Sequence, residues 1–112
     1  MESRAKLNRL LMSARKVRQV ADEIRAKSVD DALSFLAALK GMKRAIEPLE
    51  KTVKSAVANF MQASPNAQTE KLVIKELFVD SASSQKRIRA RAKGSAYRRL
   101  KRSSHITVVI SD

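Results

Sequence analysis

The spacing of apolar residues predicts a helix near the start of the chain. Val17, Val20 and Ile24 recur at intervals of three and four residues, while charged residues occupy the positions between them. This is the pattern of an amphipathic helix, and it predicts a helix over residues 14–26 with one apolar and one mostly cationic face. Ser13 precedes the segment and belongs to the residue types that cap helix N-termini, so we expect the helix to begin directly after it.

A second helix is predicted to begin after Ser28. Ser28 and Asp31 have the spacing of a capping box, with Asp in place of the usual Glu. Leu33 and Leu36 continue an apolar stripe at helical spacing. Gly41 is expected to end this helix, because glycine readily adopts the backbone conformation found just beyond a helix C-terminus.

The third predicted helix is the longest and covers about residues 46–62. Leu49 and Phe60 belong to its apolar stripe. Pro48 is tolerated in the first turn of a helix but costs about 3 kcal/mol in the interior. Two interpretations therefore remain open, a regular helix that starts near Glu47 or a helix that bends at the proline.

Three other segments have the character of strands. Residues 5–12 have no clear period and are short enough for an edge strand. Residues 72–79 are rich in branched and aromatic residues and contain no glycine or proline, which predicts a strand largely covered on both faces. Residues 105–111 alternate, with Ile106 on one face and Thr107 on the other, which predicts a half-buried strand.

The stretch between residues 85 and 102 separates the last two strands and differs from them in composition. It has nine basic residues, no acidic residue and only three large apolar side chains, so it cannot form a core of its own. A polyanion such as a nucleic acid would order it. A flexible loop and a long two-stranded arm both fit; we favour the arm, with Gly94 at a turn or at a close approach to RNA. The basic residues are Lys86, Arg87, Arg89, Arg91, Lys93, Arg98, Arg99, Lys101 and Arg102.

Charge is distributed unevenly over the chain, whose net charge is +13. Residues 1–27 hold eight basic and three acidic residues, residues 28–80 hold seven of each, and residues 81–112 hold nine and one. A neutral middle with two cationic ends is typical of a scaffold that presents charge to a partner. This distribution favours a nucleic-acid-binding protein.

Length and composition also restrict the class of protein. A chain of 112 residues fits one small domain, which we divide into a body of residues 1–80 and 103–112 and an arm of about 81–102. There is no cysteine, and His105 is the only histidine. No carboxylate lies between residues 81 and 110. We therefore expect no metal site, no cofactor and no enzymatic activity.

Targeting and membrane segments are also not expected. No apolar run approaches the roughly 18 residues that a transmembrane helix needs. The N-terminus lacks the apolar centre of a signal peptide and runs directly into the first predicted helix. These features predict a soluble protein without a membrane partner, not secreted and without a removable leader.

A second candidate contact with nucleic acid lies on the first predicted helix. Arg15, Lys16 and Arg18 form a cationic group there. An equally simple interpretation is a surface group that pairs with Asp22 at the next turn. Both interpretations remain open from the sequence.

A DNA-architectural protein is an alternative function, since basic ribbon arms can grip a duplex. Such proteins usually insert an apolar residue, often proline, between base steps. No proline follows Pro65. The sequence therefore favours RNA over this alternative.

Several segments together resemble a known family. In their order and spacing they are similar to the large-subunit ribosomal protein twenty-two family, of the type found in bacteria and organelles, from about residue 5 to the C-terminus. The arm that contains Arg91 to Gly94, placed ten residues before His105, is the most specific part of the match. The matching segments are 13–25, 54–59, 79–80, 86–94 and 101–110.

The resemblance implies an α+β fold, with three helices packed on a small antiparallel sheet and a long protruding β-hairpin. The hairpin is expected to thread through large-subunit ribosomal RNA, beside neighbouring ribosomal proteins, and to reach the peptide exit tunnel and the nascent polypeptide. No homo-oligomer is expected, and the location would be the ribosome, in the cytoplasm or an organelle. The chain departs from the family pattern at Pro48, at Ser81 to Ser84 and at Ala90.

These expectations assign candidate sites. The expected RNA-binding residues are the nine basic residues of the arm, Gly94, and the three cations of the first helix, Arg15, Lys16 and Arg18. The expected tunnel-facing tip consists of Gln85, Lys86, Arg87, Ile88, Arg89, Ala90, Arg91, Ala92, Lys93 and Gly94.

Overall fold

The computed structural model describes residues 2–90 and 96–112, and from residue 85 to residue 100 it describes the backbone alone. Three helices, one short 3-10 turn and five strands lie within these ranges. In chain order they are β1 (Glu2–Leu10), α1 (Ala14–Ile24), α2 (Val29–Ala38), α3 (Ile46–Ala63), the 3-10 turn (Thr69–Lys71), β2 (Val73–Ser81), β3 (Gln85–Ala90), β4 (Ala96–Lys101) and β5 (Ser104–Ser111).

Three strands form one antiparallel sheet in the order β1-β5-β2. The last strand of the chain therefore lies in the centre, and both edge strands pair with it. The helices pack on one face of this sheet, through α3 against β1 and β5 and through α1 against β2. This confirms the predicted α+β class.

β3 and β4 form a separate two-stranded antiparallel sheet. The molecule measures 64 Å along its longest axis and 25 and 17 Å along the other two. This elongated shape agrees with the long β-hairpin that the resemblance implied.

The core forms where the predicted helix stripes meet the inward face of the sheet. Ile24 of α1, Leu36 of α2 and Phe60 of α3 are completely buried, as are Ile106 and Val108 of β5. Burying a side chain of this kind stabilises a fold by roughly 1.5–3 kcal/mol. The period-two pattern predicted for β5 is confirmed on this face.

β2 is covered on one face, so the prediction that it is largely covered on both faces is wrong. Ile74, Leu77 and Val79 are buried against the helices. Val73 and Phe78 remain 38% and 49% exposed. The cause is that the helices occupy one side of the sheet only, while two of the apolar residues of β2 occupy outward positions.

The helix starts follow from local chemistry. α1 begins after Ser13, as predicted, although the Ser13 side chain makes no capping hydrogen bond. At α2 the Ser28 hydroxyl accepts a hydrogen bond from the amide of Asp31 at 3.3 Å. α3 begins at Ile46, which places Pro48 in the first turn and decides between the two open interpretations.

Tight turns follow α1 and α2. Ala26 and Gly41 have φ angles of 67° and 89°. Directly after them, the amide of Lys27 donates to the carbonyl of Ile24, and the amide of Met42 donates to the carbonyl of Leu39. Gly41 adopts this conformation without steric cost, whereas Ala26 is strained by its Cβ. The turn at Ala26 brings Lys27 alongside the outer edge of β2, where the Lys27 carbonyl accepts from the amide of Ile74 at 3.0 Å.

Candidate nucleic-acid interface

The two strands of the arm carry a high density of positive charge. β3 and β4 pair antiparallel, from Gln85 opposite Lys101 to Ala90 opposite Ala96. Half of the twelve residues in these strands are basic and none is acidic. The basic residues are Lys86, Arg87, Arg89, Arg98, Arg99 and Lys101.

The register of the arm works against its own stability. Arg87 lies directly opposite Arg99, and like charges at such positions destabilise an antiparallel pair. Ile88 lies opposite Arg98, and Leu100 lies opposite a basic residue as well. A two-stranded hairpin is marginal in water even with favourable pairs, and this register is less favourable still.

The root of the arm is tied to the central sheet. The amide of Ala82 donates to the carbonyl of Ser103 at 2.9 Å, and the Ser103 hydroxyl donates to the carbonyl of Ser83 at 2.7 Å. Ser103 and Ser104 are buried. The segment Ser81 to Ser84, which departs from the family pattern, thus takes part in the junction between sheet and arm through the backbone of Ala82 and Ser83.

The structure describes only part of the predicted site. Arg91, Ala92, Lys93 and Gly94 are outside the described residues, so the conformation of the tip stays a prediction. At the other end of the arm, Lys101 and Arg102 are exposed. The described part of the candidate site therefore consists of strands β3 and β4 and the root of the arm.

The three cations predicted on α1 differ in their surroundings. Arg15 and Lys16 are exposed. Nε and Nη2 of Arg18 both donate to the carbonyl of Val79 on β2, at 3.0 and 2.6 Å. Asp22 forms its ion pair with Arg25, directly after the end of α1, rather than with this group. Arg15 and Lys16 are thus presented outward, while Arg18 also holds α1 to the sheet.

Arg25 makes a second contact of this kind, which sequence analysis missed. Its Nε and Nη2 donate to the carbonyl of Leu77 at 3.2 and 3.0 Å, and its Nη1 lies 2.5 Å from a carboxylate oxygen of Asp22. Arg18 and Arg25 therefore occupy backbone acceptors at the outer edge of β2. Occupying this edge reduces its ability to pair with a further strand.

His105 has a structural contact. Its Nδ1 accepts a hydrogen bond from the amide of Arg9 at 3.0 Å, so the neutral ring carries its proton on Nε2. Arg9 lies at an irregularity in the pairing of β1 with β5 and has a φ of 57°. His105 therefore connects β5 to the backbone of β1 at this irregularity.

Residues 2–90 and 96–112 contain neither a candidate metal site nor a candidate membrane-spanning helix. No group of three or more histidine and carboxylate side chains there could hold a metal ion. None of the helices in that part of the chain is both long and apolar enough to cross a membrane.

Two lysines of α3 are paired with carboxylates on the same helix. Lys51 lies 3.3 Å from Glu47, and Lys54 lies 2.8 Å from Glu50. The hydrogen bond from Lys54 lowers the pKa of Glu50 below its ordinary value. The lysines of this helix are thus partly neutralised within the body.

Comparison with known proteins identifies the family. The model of the family described as ribosomal protein L22p/L17e matches residues 5–111. The chain belongs to this family. It is 45% identical over 112 residues to the large ribosomal subunit protein uL22 of Mesoplasma florum and 44% identical over 112 residues to that of Mycoplasma capricolum. Both alignments cover all of this chain, and 97% and 98% of the respective relatives.

Membership of the L22p/L17e family establishes the general role of the chain. Members are structural constituents of the large ribosomal subunit, and the family is not an enzyme family. The resemblance from residue 5 to the C-terminus is confirmed. The family match supports the ribosomal interpretation over the DNA-architectural alternative.

Proposed function

We propose that the chain binds and organises large-subunit ribosomal RNA in the ribosome, and that its β3–β4 arm borders the nascent-peptide exit tunnel. The observation that carries this proposal is the pairing of Arg87 opposite Arg99 in an arm without acidic residues. Phosphate groups on both sides of the arm would turn this repulsion into attraction. Folded RNA supplies phosphates at that density.

α1 supplies a second contact in this proposal. Arg15 and Lys16 are exposed on the helix, and Arg18 lies beside them with its guanidinium on the carbonyl of Val79. A guanidinium has five donors, so two bonds to one carbonyl leave others for a phosphate. The body would thereby be oriented on the RNA while the arm enters it.

The tip, residues 85–94, is proposed to face the tunnel and to meet the nascent polypeptide transiently. Support comes from the elongated shape, with 64 Å along the longest axis, and from family membership. A rigid root at the serine junction would hold the arm in a fixed direction. Neighbouring large-subunit proteins would contact the body.

The proposal is tested by neutralising the arm in the full-length protein. We expect a variant with glutamine at the six basic residues of β3 and β4 to bind large-subunit ribosomal RNA more weakly. The slope of log K against log salt concentration should fall in magnitude by about 4 to 5, since each phosphate contact contributes about 0.7 to 0.9. Filter binding over a range of salt concentrations measures both quantities.

The matched control removes the same charge from the body. It carries glutamine at six exposed cations of the body, and its salt slope should stay closer to that of the unchanged protein. Equal slopes for the two variants would contradict the role of the arm. The substituted residues of the control are Lys40, Lys43, Arg44, Lys51, Lys54 and Lys71.

The tunnel part of the proposal has its own readout in whole ribosomes. A photoreactive residue at Ala92 should cross-link to a stalled nascent chain, and one at Ala58 on the exposed face of α3 should not. Cross-links from Ala92 to ribosomal RNA alone would leave the RNA-binding role intact and contradict the tunnel assignment.

A further inference from the structure

The sheet face that lies opposite the helices carries an exposed aromatic ring. Phe78 on β2 is 49% exposed, although it belongs to a regular, hydrogen-bonded strand. It lies opposite Thr107 of the central strand, which in turn lies opposite Lys6 of β1. Since strands are about 4.8 Å apart, Lys6 and Phe78 are about 10 Å apart across the sheet.

Charges on this face are separated by strand. Lys75 and Glu2 hydrogen-bond to each other and neutralise one another. Of the remaining charged residues, the cations Arg4 and Lys6 are on β1, while carboxylates flank the ring on β2. These are Glu76 and Asp80, each two residues from Phe78.

This arrangement matches the chemistry of a single unpaired nucleotide. Base stacking on an aromatic side chain is the common way in which proteins recognise single-stranded RNA. The cations of β1 suit a phosphate, and the carboxylates of β2 suit the amino groups of a base. We propose that Phe78 stacks on an unpaired base of RNA, with Lys6 at its phosphate. The inference deepens the proposed function and rests on it.

The distribution of apolar residues favours a base over an apolar protein surface. Val73 is the other large apolar residue exposed on the described part of this face, and it lies five residues away with Glu76 between. Val109 is only 2% exposed in the centre of the sheet. One isolated ring offers a planar partner with little contiguous apolar area, whereas protein interfaces have a larger apolar centre.

A fluorescence titration tests the stacking contact directly. The chain has no tryptophan, so the variant Phe78→Trp carries a single reporter. We expect saturable quenching when single-stranded octaadenylate is added, because a stacked base quenches indole emission. The matched control is Met42→Trp, at a site 74% exposed on the loop between α2 and α3. Equal responses from both variants, or none from Phe78→Trp, would overturn the proposal.

Affinity for large-subunit ribosomal RNA provides the second measurement. Phe78→Leu keeps an apolar side chain but removes the ring, and should weaken binding about 5- to 100-fold with an unchanged salt slope. Phe78→Tyr should bind like the original protein. Stacking would be refuted if Phe78→Leu bound the RNA with unchanged affinity. It would also be refuted if the substitution released a neighbouring ribosomal protein from the subunit instead of weakening RNA binding.

Failure of the inference can be told apart from failure of the proposed function. If the unsubstituted protein does not bind the RNA, the proposed function fails. If it binds and the arm variant alone weakens binding, the proposed function stands and the Phe78 contact is wrong.

Discussion

The body and the arm of this protein are built from neighbouring strands but stabilised in different ways. The body buries a continuous apolar cluster formed by all three helices and the central sheet. The arm pairs arginine with arginine across its two strands and has no acidic residue. β2 and β5 belong to the body, yet they lead directly into the two strands of the arm.

From this difference we propose that the body folds by itself and that the arm needs a partner. In the body, helix spacing and strand alternation bring apolar side chains together without any ligand. In the arm, the register places Arg87 opposite Arg99, and like charges at such positions destabilise a strand pair. The free energy of unfolding should therefore respond to changes in the core of the body, whereas changes in the arm should affect RNA binding and leave the free energy of unfolding nearly unchanged.

The largest expected effect on stability comes from the core. Phe60→Ala removes a completely buried ring of α3 and should lower the free energy of unfolding by about 3–5 kcal/mol. Urea denaturation followed by circular dichroism measures this change. The comparison variant in the arm is Arg99→Ser.

Arg99→Ser should leave the free energy of unfolding nearly unchanged, because it removes a like-charge pair rather than a buried contact. A loss of more than about 1 kcal/mol in this variant would mean that the arm contributes to the stability of the body, and the division would be wrong.

An intermediate effect is expected where α1 holds the edge of β2. Arg25→Met keeps a long side chain but removes the donors to the carbonyl of Leu77. Hydrogen bonds from charged groups contribute about 1.5–3 kcal/mol, and partial exposure of this side chain reduces the value, so we expect a loss of about 1–2 kcal/mol. Hydrogen exchange at the amides of β2 should accelerate together with this loss.

Arg15→Met is the control on the same helix, because Arg15 is exposed. It should weaken RNA binding while changing the free energy of unfolding by less than about 0.5 kcal/mol. The opposite result, a stable Arg25→Met and an unstable Arg15→Met, would show that the guanidinium contacts with β2 do not hold the helix.

The smallest effect is expected from the surface pair of Glu2 and Lys75. The hydrogen bond and charge of Lys75 lower the pKa of Glu2 from 4.5, and the same contact with Glu2 raises the pKa of Lys75 from 10.5. The stabilising contribution is thus present above pH 4.5 and below pH 10.5. This contribution is lost as the pH falls through the lowered pKa of Glu2 or rises through the raised pKa of Lys75.

The measurement is urea unfolding of the original protein and of Glu2→Gln across this range. We expect a small difference between them at neutral pH, which disappears in strong acid and in strong base. A difference that persists in acid would mean that the pair does not contribute through its charges.

The helices could be predicted because their signals are local. The stripe of α1 and the spacing of Ser28 and Asp31 depend only on helix geometry. The exposure of Phe78 could not be predicted, because a run of apolar residues in a strand does not reveal whether one face or both are covered. The contacts of Arg18 and Arg25 with β2 could not be predicted either, since their acceptors lie more than fifty residues away in the chain.

By itself the sequence determined the helix spans, the excess of positive charge between residues 85 and 102, and membership of the family. These follow from spacing, from composition and from motifs that can be read along one chain. The tertiary structure decided that the last strand lies in the centre of the sheet, which makes β2 an edge strand with one open face. That placement depends on how all the apolar faces are buried together, which no single segment contains, and it creates both the arginine contacts of α1 and the exposed ring of Phe78.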